Sequence, residues 1–132
     1  MSAITLTIKD ETAGGKLVNE VEVCFANELT TVKDIIRARV TSEVDAYNKR
    51  MPEYFKGLVQ PTDAEKTLNG YKLKEKRKVD PERQCIVALE AFEKNGYFVL
   101  IDNIQAESPD QMIVVNKDTQ ISFVKLTPLV GG

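Results

Sequence analysis

The sequence contains no histidine and no tryptophan, and it has only two cysteines among 132 residues. Without histidine, Ser-His-Asp and Cys-His nucleophile systems and imidazole metal sites are excluded. Cys24 and Cys85 lie far apart and form no CxxC pair, which is too few cysteines for a zinc site or a disulfide scaffold. We therefore expect no metal site, no cofactor of its own and a reducing, cytoplasmic location.

Long apolar runs and an excess of charge of one sign are also missing. The first residues show no basic region followed by an apolar core, so neither secretion nor a membrane partner is predicted. The 18 basic and 20 acidic side chains leave a formal charge of -2, and nucleic-acid-binding domains usually carry a basic excess. We expect one domain, since domains span roughly 100–200 residues, and no nucleic-acid partner.

Alternation of apolar and polar residues predicts a β-hairpin at the start of the chain. Residues 4–9 alternate in this way, and residues 10–16 supply turn chemistry before a second alternating segment. The apolar face of that second strand consists of Leu17, Val21, Val23 and Phe25.

Two amphipathic helices are predicted downstream. Thr31 is a candidate cap for the first, with Asp34 placed as in a capping box. Asp80 and Pro81 start the second helix, which ends before Gly96. The apolar stripes are Val32, Ile35, Ile36, Val40, Val44 and Tyr47 in the first helix, and Cys85, Ile86, Leu89 and Phe92 in the second. Both cysteines are expected to be small buried hydrophobic residues.

The remaining segments are less regular. Residues 49–79 contain Pro52, Gly57 and an Asn-Gly pair, and are predicted to be mostly loop with short helical pieces. Residues 97–101 are continuous and aromatic or β-branched, which predicts a strand buried on both faces. Further strands are expected at residues 112–115 and 120–126.

The order strand, strand, helix, strands leads into a final stretch, residues 119–132, that reads Thr-Gln-Ile-Ser-Phe-Val-Lys-Leu-Thr-Pro-Leu-Val-Gly-Gly. This arrangement resembles the ubiquitin-like β-grasp proteins. The ending is also similar to those of the prokaryotic sulfur carriers for molybdopterin and thiamine synthesis and of the small archaeal modifiers. The resemblance implies an α+β fold, with a mixed sheet packed on one main helix. It implies a single domain over residues 1–126, an insertion over about residues 49–96 with a loop and a second helix, and a flexible tail over residues 127–132.

The resemblance also implies a function, that of a bacterial ubiquitin-like modifier. Its chemistry would take place at the terminal carboxylate of Gly132. An E1-like enzyme would use ATP to adenylate that carboxylate, and an E2-like enzyme would pass it to target proteins. A processing or deconjugating protease is a further expected partner. Gly131 and Gly132 carry no side chain, so they can enter a narrow channel. The chain itself would be a substrate and not an enzyme.

Four residues near the end are the candidates for recognition by the activating enzyme. Leu129 and Val130 offer apolar contacts, Pro128 stiffens the segment, and Leu126 falls where part of the ubiquitin recognition patch would lie. Two alternatives remain open. A sulfur carrier would form a thiocarboxylate at Gly132, which Pro128 favours and the long insertion disfavours. A non-conjugated β-grasp interaction domain would have inert final glycines.

Overall fold

Five strands form a mixed sheet that packs against the longer of two helices in the computed structural model, which describes residues 3–75 and 77–126. In chain order, the elements are β1 Ile4–Thr12, β2 Leu17–Phe25, β3 Leu29–Thr31, α1 Val32–Arg50, β4 Ala64–Thr67, β5 Gly70–Leu73, α2 Pro81–Glu93, β6 Tyr97–Ile101, β7 Ile104–Gln105, β8 Met112–Val114 and β9 Ile121–Lys125. The mixed sheet and two helices agree with the predicted α+β class.

The strand order of the main sheet is β2-β1-β9-β6-β7. Strands β1 and β9 run parallel at its centre, whereas the other neighbours are antiparallel. Two separate ladders, β3 with β8 and β4 with β5, complete the strands of the described chain. A parallel pair needs a long crossover connection, which here contains both helices.

The hairpin of β1 and β2 is confirmed, but its register corrects the predicted apolar face. Asp10 pairs with Asn19 and Glu11 pairs with Leu17, so a bulge in β2 skips Val18. Beyond a bulge, side chains change faces. Leu17 therefore lies on the outer face and is 47% exposed, whereas Val23 and Phe25 are buried as predicted.

Helix α1 is confirmed with its cap and its apolar stripe. The hydroxyl of Thr31 accepts a hydrogen bond from the backbone N–H of Asp34 at 3.1 Å, which satisfies one of the free donors of the first turn. All six predicted stripe residues are buried in one core cluster. The helix ends at Met51, whose φ of 45° is left-handed.

The second helix is confirmed, but its buried face is rotated from the predicted one. Gln84, Cys85, Ala88 and Phe92 are buried, whereas Ile86 is 54% exposed. The side-chain amide of Gln84 donates to the carbonyl of Val59 at 3.2 Å. This contact turns the face that contains Gln84 toward the core.

Cys85 is buried as predicted, but the prediction for Cys24 was wrong. Cys24 pairs with Thr5 across the hairpin on the outer face of the sheet, and it is exposed.

Two further segments differ from the predictions. Residues 64–73 form an antiparallel hairpin where loop and short helical pieces were expected. Strand β6 is fully buried on one face only: Tyr97, Val99 and Ile101 are buried, whereas Phe98 and Leu100 are half-buried. In the described part of the chain, no helix is both long and apolar enough to cross a membrane.

Candidate functional site at the end of the last strand

One predicted site residue, Leu126, is within the described chain. It follows directly after β9 and is 41% exposed. The other predicted site residues, Pro128, Leu129, Val130, Gly131 and Gly132, lie outside the described residues. The site is therefore built from the residues that surround Lys125 and Leu126.

The end of β9 is held on both sides by neighbouring strands. Lys125 pairs with Thr12 of β1 on one side and with Tyr97 of β6 on the other. The ring of Tyr97 stacks on that of Phe123, with centroids 5.6 Å apart, and its hydroxyl donates to the carbonyl of Ala88 at 2.6 Å. Ladder pairing and ring packing thus fix the position of the end of β9.

Beneath this strand end lies a buried cluster of charged residues. Arg39 of α1 and Asp10 of β1 are both completely buried, and the guanidinium donates to both carboxylate oxygens of Asp10, at 2.6 Å for Oδ2. The same guanidinium donates to Oε2 of Glu43 at 3.3 Å and lies 4.6 Å from the ring centroid of Phe123. A buried charge is tolerated when it is paired in this way.

The cluster also joins the insertion to the sheet. Oε1 of Glu43 accepts a hydrogen bond from the backbone N–H of Leu58 at 2.9 Å. The amino group of Lys125 donates to the carbonyl of Gly57 at 3.4 Å and lies 4.0 Å from Oδ2 of Asp10. Two backbone groups of the insertion are therefore held by the charges that lie under the end of β9.

Burial and neighbouring charges shift the pKa values of several of these groups. Burial raises the pKa of Glu43 above its ordinary value of 4.5, and this outweighs the attraction of Arg39, which lowers it. For Arg39, burial opposes the charge, but Glu43 and Asp10 hold its pKa above the ordinary value. Burial lowers the pKa of Lys125 and raises that of Tyr97.

Sequence reasoning missed the cluster. Asp10 was assigned to a turn, although β1 continues through it to Thr12. Arg39 follows Ile35 and Ile36 at helical spacing, so its position on the buried side of α1 was readable. A charged residue on an apolar stripe was the available signal, but nothing in the sequence identified its partner.

The insertion forms a groove beside the last strand, with a volume of about 540 Å³. It is lined by residues 55–58, the β4–β5 hairpin, the start of β2, residues 96–97, Lys125 and Leu126. The hairpin is attached through two backbone hydrogen bonds between Phe55 and Tyr71, at 2.7 and 2.9 Å. We call this space the tail-end groove.

Gly57 is required in the floor of this groove. A Cβ atom at Gly57 would lie 2.2 Å from Cε2 of Phe55, and Phe55 is buried in the core. The close approach of backbone and ring leaves no room for a side chain. This packing brings the carbonyl of Gly57 to the amino group of Lys125.

The outer face of the sheet offers a second surface near the same strand end. Phe98 pairs with Val124, and Leu100 pairs with Ser122, all on the face opposite α1. Phe98, Leu100 and Val124 are half-buried. They form a small, half-buried apolar patch on that face of the sheet.

The described residues contain no group of three or more histidine, cysteine, aspartate or glutamate side chains that could hold a metal ion. A scan of protein-family models, a search of curated proteins and a search of solved structures each found no match to this chain.

Proposed function

We propose that this chain is a ubiquitin-like protein modifier of β-grasp fold, conjugated to target proteins through Gly132. In this account the Gly132 carboxylate attacks the α-phosphate of ATP on an E1-like enzyme, and pyrophosphate leaves. A sulfur or amine nucleophile then attacks the acyl carbon, and AMP leaves. The chain supplies the acyl group, while an E1-like and an E2-like enzyme supply the catalysis.

The observation that carries the proposal is the position of β9. A hairpin, a crossover helix and a final strand inserted beside β1 give the sheet order β2-β1-β9-β6-β7, with β1 and β9 parallel. This is the order expected of a β-grasp domain. Lys125 is the last residue of β9, so the proposed reactive segment begins just beyond this strand, after Leu126.

The rigidity of that starting point also supports the proposal. Lys125 contacts Asp10 and Gly57, and both neighbouring strands pair with it. An enzyme binds a short terminal segment more tightly when the segment is attached to a rigid strand, because less conformational freedom is then lost on binding. Six residues beyond Leu126 span at most about 20 Å, which suffices to place Gly132 in a channel.

A sulfur carrier is the second candidate, and Pro128 is the observation that favours it. In that function sulfide attacks the same adenylate, AMP leaves and Gly132 becomes a thiocarboxylate. The insertion with its hairpin and second helix is not needed by a minimal carrier. We therefore place the modifier first.

The test is recovery of an N-terminally tagged copy from its native cells under denaturing, non-reducing conditions, followed by intact and peptide mass measurement at Gly132. We expect covalent adducts to other proteins. The control lacks Gly131 and Gly132 and should form none.

Each other outcome replaces the proposal with an alternative. A free chain with one terminal oxygen replaced by sulfur identifies a sulfur carrier. An unmodified Gly132 in all conditions, together with unchanged function of the shortened control, identifies an interaction domain.

A further inference from the structure

The tail-end groove has one sign of charge. The charged residues that line it are Lys56, Lys66 and Lys125, with no acidic residue among the lining side chains. Within the described chain, no carboxylate lies within 4.0 Å of the amino groups of Lys56 and Lys66. Lys125 lies 4.0 Å from Oδ2 of Asp10, so Lys56 and Lys66 are the lining lysines without a carboxylate within that distance in the described chain.

Aliphatic side chains accompany these lysines. Leu68, at the tip of the β4–β5 hairpin, is fully exposed, and Val18 and Leu126 are 53% and 41% exposed. Leu68 occupies the two-residue connection between Thr67 and Gly70. A polar residue at this fully exposed position would not lower the stability of the fold. An exposed leucine at a hairpin tip that lines a groove together with two other partly exposed aliphatic residues provides apolar surface for binding.

The hairpin that carries Leu68 is held in place. The hydroxyl of Thr67 donates to the carbonyl of Gly70 at 2.7 Å and accepts from the N–H of Asn69 at 3.1 Å. Gly70 has φ of +125°, and a Cβ there would lie 3.0 Å from the carbonyl oxygen of Phe55. The groove wall is therefore preformed, which lowers the entropy lost when a partner binds.

We propose that the tail-end groove binds an acidic segment of a partner protein, with an aliphatic side chain of that segment packed between Leu68, Val18 and Leu126. The carboxylates of the segment pair with Lys56 and Lys66. This combination of apolar contact and opposite charge gives both affinity and orientation.

The location suggests which partner uses the groove, and this step rests on the proposed function. Leu126 lines the groove and directly precedes the proposed reactive segment. A protein bound in the groove is therefore within reach of that segment, as the activating enzyme must be. The insertion would then select the enzyme that acts on Gly132.

The binding test uses an acetylated and amidated acidic hexapeptide with two central leucines, added to the ¹⁵N-labelled full chain. We expect amide shift changes at residues 66–71 and 56–58. The dissociation constant should rise about a hundredfold in the variant K56E/K66E, because two close charge contacts are lost and each is worth about tenfold. Added salt should weaken binding.

Two controls make the result specific. The variant K117E alters an exposed lysine in the turn before β9 and should bind the acidic peptide as the parent does. A peptide with glutamine at each acidic position should bind weakly. Absence of shifts at the groove, or equal binding by K56E/K66E with an unchanged amide spectrum elsewhere, overturns the proposal.

A cellular measurement separates this inference from the proposed function. If both hold, K56E/K66E forms fewer adducts than the parent and K117E forms as many. If the parent forms no adducts but the peptide binds in the groove, the modifier function fails and the binding surface stands. If adducts form equally in K56E/K66E, the groove does not select the enzyme and this inference fails.

Discussion

The two ends of the buried face of the sheet are built in different ways. Near the start of β1, the face consists of apolar side chains, with Leu6, Val23 and Phe25 all buried. Near the end of β1, the same face carries Asp10, which is paired with Arg39. Apolar burial is non-directional, whereas the ion pair requires specific geometry. The charged end therefore holds its residues in specific relative positions, whereas the apolar end is stabilised by burial without such directionality.

The charged end of the sheet is also the end nearest the proposed reactive segment. Glu43 and Lys125 hold the backbone of Leu58 and Gly57, so the charged end determines where the insertion lies relative to the last strand. The apolar end packs the hairpin against α1 and lies at the opposite end of β1 from Thr12, the residue that pairs with Lys125. We expect variants at the charged end to alter both stability and the tail-end groove.

The largest effect is expected for Arg39→Met. It leaves the Asp10 carboxylate buried without its partner, and breaking a buried pair costs about 4 kcal/mol of unfolding free energy. Urea unfolding measures this change. The double variant Asp10→Asn/Arg39→Met removes the unpaired charge and should recover part of the loss. A loss of less than about 1 kcal/mol in the single variant would contradict this expectation, because it would match the contribution of a solvent-exposed salt bridge.

The apolar end is tested by Leu6→Ala, for which we expect a loss of about 3 kcal/mol from lost burial and the cavity left behind. Leu6 is only 4% exposed. Amide shifts of residues 66–71 should stay near those of the parent. If Leu6→Ala shifts these amides as much as Arg39→Met does, the claim that only the charged end positions the groove is contradicted.

Gly57→Ala should destabilise the protein by about 2 kcal/mol, because the added methyl group forces the ring of Phe55 to move. The matched control is Gly14→Ala in the hairpin turn, where the nearest atom to a Cβ would be 3.8 Å away; a change within about 0.5 kcal/mol is expected there. Equal stability of the two variants in thermal unfolding would contradict the close packing under the groove.

The smallest effect is a pH dependence that arises from Glu43. Its folded pKa is raised above 4.5, so between that value and the folded pKa the folded state binds more protons than the unfolded state. Stability from this group therefore falls as pH rises through this window. Urea unfolding of both proteins measures this effect. The unfolding free energy of Glu43→Gln, minus the unfolding free energy of the parent, should increase as pH rises. A difference that is constant or decreases would contradict the raised pKa.

Periodic apolar segments were predictable from the sequence. The stripe of α1 and the alternation in β1 each bury one face against many neighbours, so local pattern and tertiary packing agree there. The face of Leu17 was not predictable, because a single-residue bulge reverses side-chain direction without a mark in composition.

The β4–β5 hairpin and the charged cluster escaped prediction for different reasons. The hairpin at residues 64–73 contains the polar segment Ala-Glu-Lys-Thr before its turn, which lacks an alternating pattern, and its pairing with Phe55 is a tertiary contact. In the cluster, the partners Asp10 and Arg39 are distant in sequence, so only the fold brings them together. Leu126 was predicted as a recognition residue, and that role stays a prediction; the lysines of the tail-end groove were not predicted.

The most direct test of the central claim is a search for branched peptides after trypsin digestion of the adduct-bearing proteins. Cleavage after Lys125 leaves the heptapeptide Leu-Thr-Pro-Leu-Val-Gly-Gly, residues 126–132, attached to the amine of a target. The account predicts this remnant on target lysines in the parent and its absence in the chain without Gly131 and Gly132. Recovery of residues 126–132 only as an unattached, unmodified peptide would contradict it.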